Sequence, residues 1–281
     1  MKSSAKKVEL ASVDDLFTTE QERQEADEER VVRIPLTQLH YFKGYPAMQT
    51  EVPFTGQPYR FKDDDPKMQE TLDSVKKRGV RAPGLVRPDP DGGYEIISGH
   101  RRHRASELAG LEDMPVIIRD MTDEEAVIEM VDANIQREKV MPSEKAWAYR
   151  MKLEAIKHQG ARTDLTSVQV EQKLSARDKV AKDAGEKSGI QIMRYIRLTE
   201  LIPELLDMVD EKKIAFNPAY ELSFLKKEEQ IQLLDAMDSE QATPSLSQAQ
   251  RLKKFSQEGR LSIDVMRAIM GEEKKSDLDK V

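Results

Sequence analysis

Near Arg137 the patterning of the chain changes. Upstream, short apolar runs bounded by Pro, Gly and Asp alternate with single helical segments. Downstream, the stretches "TSVQVEQKL", "ARDKVAKDAG", "IQIMRYIRLTEL", "PELLDMVDEKKI", "PAYELSFLKKEEQIQLLDAM", "SLSQAQRLKKFSQEG" and "SIDVMRAIMGEEK" all carry helical spacing, each set off by Gly, Pro or Ser/Thr caps. This switch restricts the fold to an α+β module followed by an all-α module. Composition agrees. Of 281 residues, 35% are charged and only 5% aromatic, which is lean for one large core and suits small helical modules.

The absence of cysteine rules out disulfides and thiolate metal sites. No apolar run approaches the roughly 18 residues of a membrane span, and "MKSSAKKVELASVDDLF" has no apolar signal core. A soluble, cytoplasmic protein without a membrane partner is expected. The net charge of −7 argues against nucleic acid, but residues 1–30 and 201–281 each carry −4 and residues 31–200 carry +1.

Residues 1–30, ending in "TTEQERQEADEER", read as a flexible acidic arm. "VVRIPLTQL" alternates as a strand, and the Pro-, Gly- and aromatic-rich segment from His40 to Asp65 reads as a long loop. A helix begins at Asp64 or Asp65 with Pro66 in its first turn, carries Met68, Leu72 and Val75 as its apolar stripe, and stops at Gly79. "PGLVRPD" and "YEIISG", joined by "PDPDGG", form a strand-turn-strand pattern. A helix from His100 to Leu108 precedes Gly110, and "MPVIIRD" is another strand. Thr122 and Glu125 make a capping box, and the helix opened by Pro142 and Ser143 closes at Gly160.

The densest chemistry lies in "SGHRRHRA". A strand ends in Ser98-Gly99 and the next helix opens with His100, Arg101, Arg102, His103 and Arg104. A helix N-terminus presents unpaired N–H groups and a positive dipole, glycine admits close backbone approach, and arginine adds bidentate donors. Acids, not arginines, suit a first helical turn. Three arginines against that preference favour an anion site over a solvated basic helix start. "ANIQRE" places Asn134 and Arg137 at a helix end, where an ordinary polar terminus is the simpler account. "KRGVRAP" by itself is a helix stop and turn. The histidines His40, His100, His103 and His158 form no metal spacing. No phosphate loop, nucleophile elbow or zinc-protease helix is present.

A further pattern, "SARDKVAKDAGEKSGIQIMRYIRLTEL", gives a helix, a turn through Gly185 and a second helix bearing Gln191, Arg194, Tyr195 and Arg197. This is a helix-turn-helix pattern, in which Ile190, Met193, Ile196 and Leu198 are expected to face inward. Arg162, Lys173, Arg177, Lys179, Lys182 and Lys187 are candidate phosphate contacts. A helical bundle with a solvated basic face fits the same residues.

Taken in order, these segments resemble the ParB partition proteins. "GVRAPGLVR" is similar to the family's first box, "GHRRHRA" to its Gly-Glu-Arg-Arg-x-Arg-Ala box, and "ANIQR" to its Glu-Asn-x-Gln-Arg box. "PSEKAWAY" resembles the linking helix, and "IQIMRYIRLTELIPELLDMVDEKKIAF" the helix-turn-helix and its sequel. The resemblance runs from about Val31 to Leu225 and is closest to ParB- and RepB-like proteins of plasmids and integrative elements. It implies a ParB-type CTP-binding domain at 31–138, a helix-turn-helix DNA-binding domain at 139–240, and C-terminal helices and tail at 241–281. The family binds CTP and magnesium, recognises a palindromic, centromere-like parS site in double-stranded DNA, closes as a homodimeric clamp and works with a ParA-type ATPase. Such a protein is nucleoid- or plasmid-associated.

By the same resemblance Gly99, His100, Arg101, Arg102 and Arg104 are the triphosphate cradle, with Ser74, Gly79 and Pro83 from the first box. Asn134 is implied as the magnesium-linked residue and Arg137 as a further phosphate contact. Lys187, Ser188, Gln191, Arg194, Tyr195 and Arg197 are implied at the DNA. The chain departs from the family at three places. His100 and Ala133 stand where the boxes have glutamate, and the chain ends at Val281 without the usual dimerisation segment. Losing the second glutamate removes a hard oxygen ligand. Asp132 is rotated about 100° on a helix and substitutes poorly. Nucleotide binding is therefore expected more than turnover, leaving at most a weak CTPase. The alternatives are a helix-turn-helix transcriptional regulator without a nucleotide switch, and a nuclease or phosphotransferase on this fold. The missing acidic cluster opposes a two-metal nuclease, and the missing cysteine excludes the chemistry of sulfiredoxin relatives.

Overall fold

The computed structural model describes residues 30–43, 63–135, 140–163 and 175–272. The acidic arm, most of the 40–65 loop, Gln136, Arg137, Lys173 and the last residues lie outside them. Contacts divide the chain into two units. One comprises Met1–His40 and Glu70–Asp120, the other Tyr41–Gln69 and Met121–Val281.

The first unit is built on a five-stranded mixed sheet of order β1-β5-β3-β4-β2, comprising β1 (Val31–Pro35), β2 (Leu39–Tyr41), β3 (Gly84–Pro88), β4 (Tyr94–Ser98) and β5 (Asp113–Ile118). β1 runs antiparallel to β5, with Val31 opposite Ile117, whereas β3 runs parallel to β5 and antiparallel to β4. The expected single strand through Leu39 breaks at Pro35, which has no N–H for a ladder. A 3₁₀ turn, Leu36–Gln38, follows, and Leu36 N–H donates to the Glu112 carbonyl at 2.9 Å. The β3–β4 turn closes as its sequence requires. Asp89 N–H donates to Gly93 at 3.0 Å, and a Cβ on Gly93, at φ +76°, would sit 2.6 Å from the Gln38 carbonyl oxygen.

Leu39, Val86, Ile96, Met114 and Val116 form the core of the sheet. The helix α1 (Pro66–Arg78) is capped by Asp65, whose carboxylate accepts from Lys67 N–H at 3.1 Å, and buries Met68, Leu72 and Val75. The helix α2 (His100–Leu108) packs beside β3 and β5. It stops as expected, with Gly110 at φ +71° and Leu111 N–H bonded to the Ser106 carbonyl at 3.0 Å.

The second unit is helical: α3 (Asp123–Ile135), α4 (Pro142–Thr163), α5 (Ala176–Asp183), α6 (Gly189–Arg197), α7 (Pro203–Asp210), α8 (Phe216–Leu222), α9 (Lys227–Ser239), α10 (Leu246–Gln257) and α11 (Ile263–Met270). The Thr122/Glu125 box forms at the start of α3. By contacts α3 groups with the helices. Two readings are corrected. α4 continues past Gly160 to Thr163. "PAYELSFLKKEEQIQLLDAM" is two helices, because Lys226 N–H is satisfied by the Glu229 carboxylate at 2.9 Å, a cap that starts a new helix.

One core cluster runs from Leu198 through Leu205, Leu222, Leu233 and Leu252 to Met270. A second joins Tyr149, Leu153, Val180, Ala181 and Ile192. α3, α4 and α5 are bound through Lys152, whose side chain is 1% exposed. Its ammonium lies 2.5 Å from Asp132 and 2.8 Å from Asp183.

Candidate functional site

In the first unit β4 delivers the chain to Gly99 at φ +108° and ψ 14°, after which α2 begins. A Cβ there would sit 3.1 Å from the Gly84 Cα and 3.3 Å from the Arg102 guanidinium. The first turn of α2 holds no acidic residue and no side-chain cap. Its first N–H groups have no partner within the helix. Arg102 Nη1 donates to the carbonyls of Ala82 and Pro83 at 2.7 and 2.6 Å. The arginine therefore clasps the turn that follows Gly79, itself at φ +67°.

Pro83, Gly99 and Arg102 are thus brought together, with half-buried Arg101 in the same turn. Arg104 points one turn along the helix, to Glu107 at 3.1 Å. Ser74 is half-buried on α1. His100 and His103 are buried, not exposed: the arginines' helix uses its histidines to face the unit's interior. Burial, opposed in part by Glu107 and a Leu36 backbone hydrogen bond and assisted by Arg104, lowers the His103 pKa and keeps the ring neutral.

Asn134 belongs to the second unit. It is buried, and its Nδ2 donates to the Met130 carbonyl at 2.7 Å, leaving Oδ1 as a hard oxygen. Ala133 is exposed, and Asp132 is engaged with Lys152. In the first unit the glycine, the helix N–H groups and the arginine fit a triphosphate. In the second unit Asn134 offers a hard oxygen, while Asp132 is engaged with Lys152 and Ala133 has no polar side chain. Arg137 lies outside the described residues.

Sequence spacing missed one cluster. His40 Nε2 lies 3.0 Å from Asp89 Oδ2, with Glu95 close by. Arg87 already donates to Glu95 at 2.8 and 2.7 Å, so a guanidinium supplies the positive charge there.

In the second unit α5 and α6 are joined by a tight turn. Gly185 has φ +66°, Glu186 N–H bonds to the Ala181 carbonyl, and Ser188 caps α6 through Gln191 N–H at 3.4 Å. Lys145 and the Tyr149 hydroxyl both reach Glu186 at 2.8 Å, pinning the turn to α4. Gly189 sits where the two helices cross. A Cβ would come within 2.4 Å of Asp178 Oδ1 and 2.6 Å of Arg177 Cγ.

This crossing sets the rotation of α6 and overturns half of the expected inward face: Ile196 and Leu198 turn inward as expected, Ile190 and Met193 do not. Ile192 is buried and Tyr195 and Ile196 pack around it, while Ile190 is 67% and Met193 42% exposed. Buried Gly189 was the missed signal, since residues three and seven further on share its face. Tyr195 is therefore a packing residue, edge-on to Tyr149 at 5.6 Å and tilted on Phe216 at 4.7 Å. Arg194 donates to Asn217 at 2.8 Å and lies 4.9 Å over Tyr220, and Arg197 donates to the Ser223 carbonyl at 2.9 Å and lies 4.3 Å over Phe224. Lys187, Ser188, Arg177, Lys179 and Lys182 are exposed, and Gln191 is half-buried. The side chain of Arg162 and all of Lys173 lie outside the described residues.

The glycine-led arginine helix, its clasp on the preceding turn and the mixed sheet coincide with a family match covering residues 19–135, the ParB N-terminal domain. This segment belongs to the ParB N-terminal domain family. The ParB N-terminal domain so defined takes in the sheet, α1, α2 and α3. Its relatives include the chromosome-partitioning protein Spo0J of Thermus thermophilus, 31% identical over 201 residues, which are 72% of this chain and 62% of that protein. The chain therefore spans less than two thirds of that relative's length. Among solved structures it is similar to a C-terminally truncated ParB from Caulobacter crescentus complexed to the centromeric parS site. That match has a TM-score of 0.43 and 20% identity, and covers 85% of this chain and 98% of that one. The same protein complexed with CTP-gamma-S aligns with a TM-score of 0.32 and 23% identity over 69% of this chain and 92% of that one. Beyond the ParB N-terminal domain the described residues form helices joined by turns, and no described helix is long and apolar enough to cross a membrane.

Proposed function

We propose that this chain is a DNA-binding partition protein that holds CTP at the start of α2 and binds a palindromic duplex through α5 and α6. The observation that carries the nucleotide half is the Arg102 clasp. It rigidifies a glycine-led helix start whose first turn is free of acid, an arrangement suited to a compact anion. Helix N–H groups and Arg101 would hold phosphate oxygens, and Arg102 keeps the two halves of the cradle in register. The Asn134 Oδ1, a hard oxygen in the second unit, would serve as a ligand to a magnesium ion.

Turnover is disfavoured by Asp132 being committed to Lys152 and by the apolar Ala133. In this reading the nucleotide acts as a holding ligand. The helix-turn-helix role of α5 and α6 is supported by the capped, pinned turn and by the exposed basic side chains of α5. A palindromic site asks for a homodimer, and a ParA-type ATPase in the cytoplasm is the motor the reading implies.

The deciding experiment is titration of labelled CTP, ATP and GTP with and without duplexes enriched by this chain. CTP preference is expected. Equal or absent binding of all three, with DNA binding retained, would leave a helix-turn-helix regulator without a nucleotide switch.

A further inference from the structure

The outward face of α6 carries Ile190 and Met193, one turn apart and the two large apolar side chains of that helix left in solvent. An exposed pair of this kind on a short helix marks a contact surface more often than a lone apolar residue does. Its surroundings say what kind. Lys187 adjoins it, and Arg177, Lys179 and Lys182 are exposed on the crossing helix α5. The helix α6 contains no acidic residue. The neighbouring carboxylates are already satisfied, Glu186 by Lys145 and Tyr149, and Asp178 by Ser175 and Gly189 N–H. An apolar pair inside a basic, acid-depleted rim is complementary to a polyanion with apolar groups at its recessed surface.

The major groove of duplex DNA has that chemistry, with phosphates along its edges and the thymine 5-methyl as its apolar mark. We infer that Ile190 and Met193 read thymine methyl groups and so set part of the sequence specificity of the α5–α6 pair. The inference rests on the proposed DNA-binding role of that pair. Ile190 is β-branched and presents a fixed shape, while Met193 is adaptable, so Ile190 carries the stricter preference. Both side chains are exposed, so truncating them leaves the Ile192 core intact.

The test uses the full chain. Duplexes enriched from a random-sequence library are remade with each thymine replaced in turn by deoxyuridine, which removes only the methyl. Affinities are measured for the wild type, Ile190→Ala and Met193→Ala, with sedimentation to follow oligomeric state. At one or two thymines the wild type should lose about fourfold in affinity, the worth of one buried methyl. Each variant should bind thymine and uracil equally at its own position. Enriched sites that tolerate uracil throughout, or an unchanged uracil penalty in both variants, would overturn the inference and leave the DNA-binding role standing. Failure to enrich any sequence would instead remove that role. A change of oligomeric state in Ile190→Ala would assign the face to a second copy of the chain, which also overturns the inference.

Discussion

Arg102 holds Pro83: its Nη1 lies 2.6 Å from the Pro83 carbonyl oxygen, with the Ala82 carbonyl 2.7 Å away. One guanidinium nitrogen thereby fixes the turn after α1 against the first turn of α2. The clasp makes Arg102 a positioning residue as well as a candidate phosphate donor. Gly99 permits it, since a Cβ there would press on that guanidinium at 3.3 Å.

Arg102→Ala should therefore do two separable things. Two charge-assisted hydrogen bonds are lost, which lowers stability by about 2 kcal/mol, read as a shift of the urea midpoint. Nucleotide binding should vanish, while affinity for an enriched duplex stays within about twofold, since α6 belongs to the other unit. Arg102→Lys should recover part of the stability but little nucleotide binding, because an ammonium has no planar fork. Equal loss of DNA affinity in both variants would make the arginine helix a DNA contact.

His103 gives the first unit a pH dependence of definite sign. Burial lowers its folded-state pKa, whereas the unfolded chain protonates near the ordinary value of about 6.5. Below that pH the unfolded state binds more protons, so stability falls as pH falls through and below about 6.5, by at most about 1.4 kcal/mol per pH unit from this group. Urea unfolding at pH 7.5, 6.0 and 5.0 should show a smaller acid loss in His103→Gln than in the wild type. Parallel profiles would exclude the histidine as the source.

Lys152 predicts an asymmetry. Its ammonium is buried, while the Asp132 and Asp183 side chains are 42% and 36% exposed. Removing both carboxylates leaves a buried charge without its partners and should cost about 3–5 kcal/mol. Lys152→Met keeps most of the volume and lets both aspartates return to water, so it should cost far less, under about 1.5 kcal/mol. Thermal unfolding of Lys152→Met beside Asp132→Ala/Asp183→Ala reads the difference. A Met variant as unstable as the double variant would contradict the buried-charge account.

Much of this was legible in the residues. Gly110, the Thr122/Glu125 box, Asp65 before Pro66 and the "PDPDGG" turn act within four or five positions along the chain, and each forms as its chemistry demands. The arginine-led helix start was legible for the same reason. The split between α8 and α9 was also written locally, in Glu229 reaching back to Lys226, but an unbroken helical period hid it.

The sequence by itself determined the order of elements, the stops and caps, and the chemistry of "SGHRRHRA", because those depend on neighbours in the chain. It also determined that a strand-bearing module precedes a helical one. Only the tertiary structure decided which face of α6 is buried, because Ile190/Met193 and Ile192/Ile196 are both apolar pairs at helical spacing. The close crossing at Gly189, set by Asp178 and Arg177, chose between them. The same holds for His100 and His103, whose burial comes from the way α2 lies on the sheet, and for Lys152, whose partners lie 20 and 31 positions away on other helices. Long-range packing selects among locally equivalent faces, and no local propensity encodes that choice.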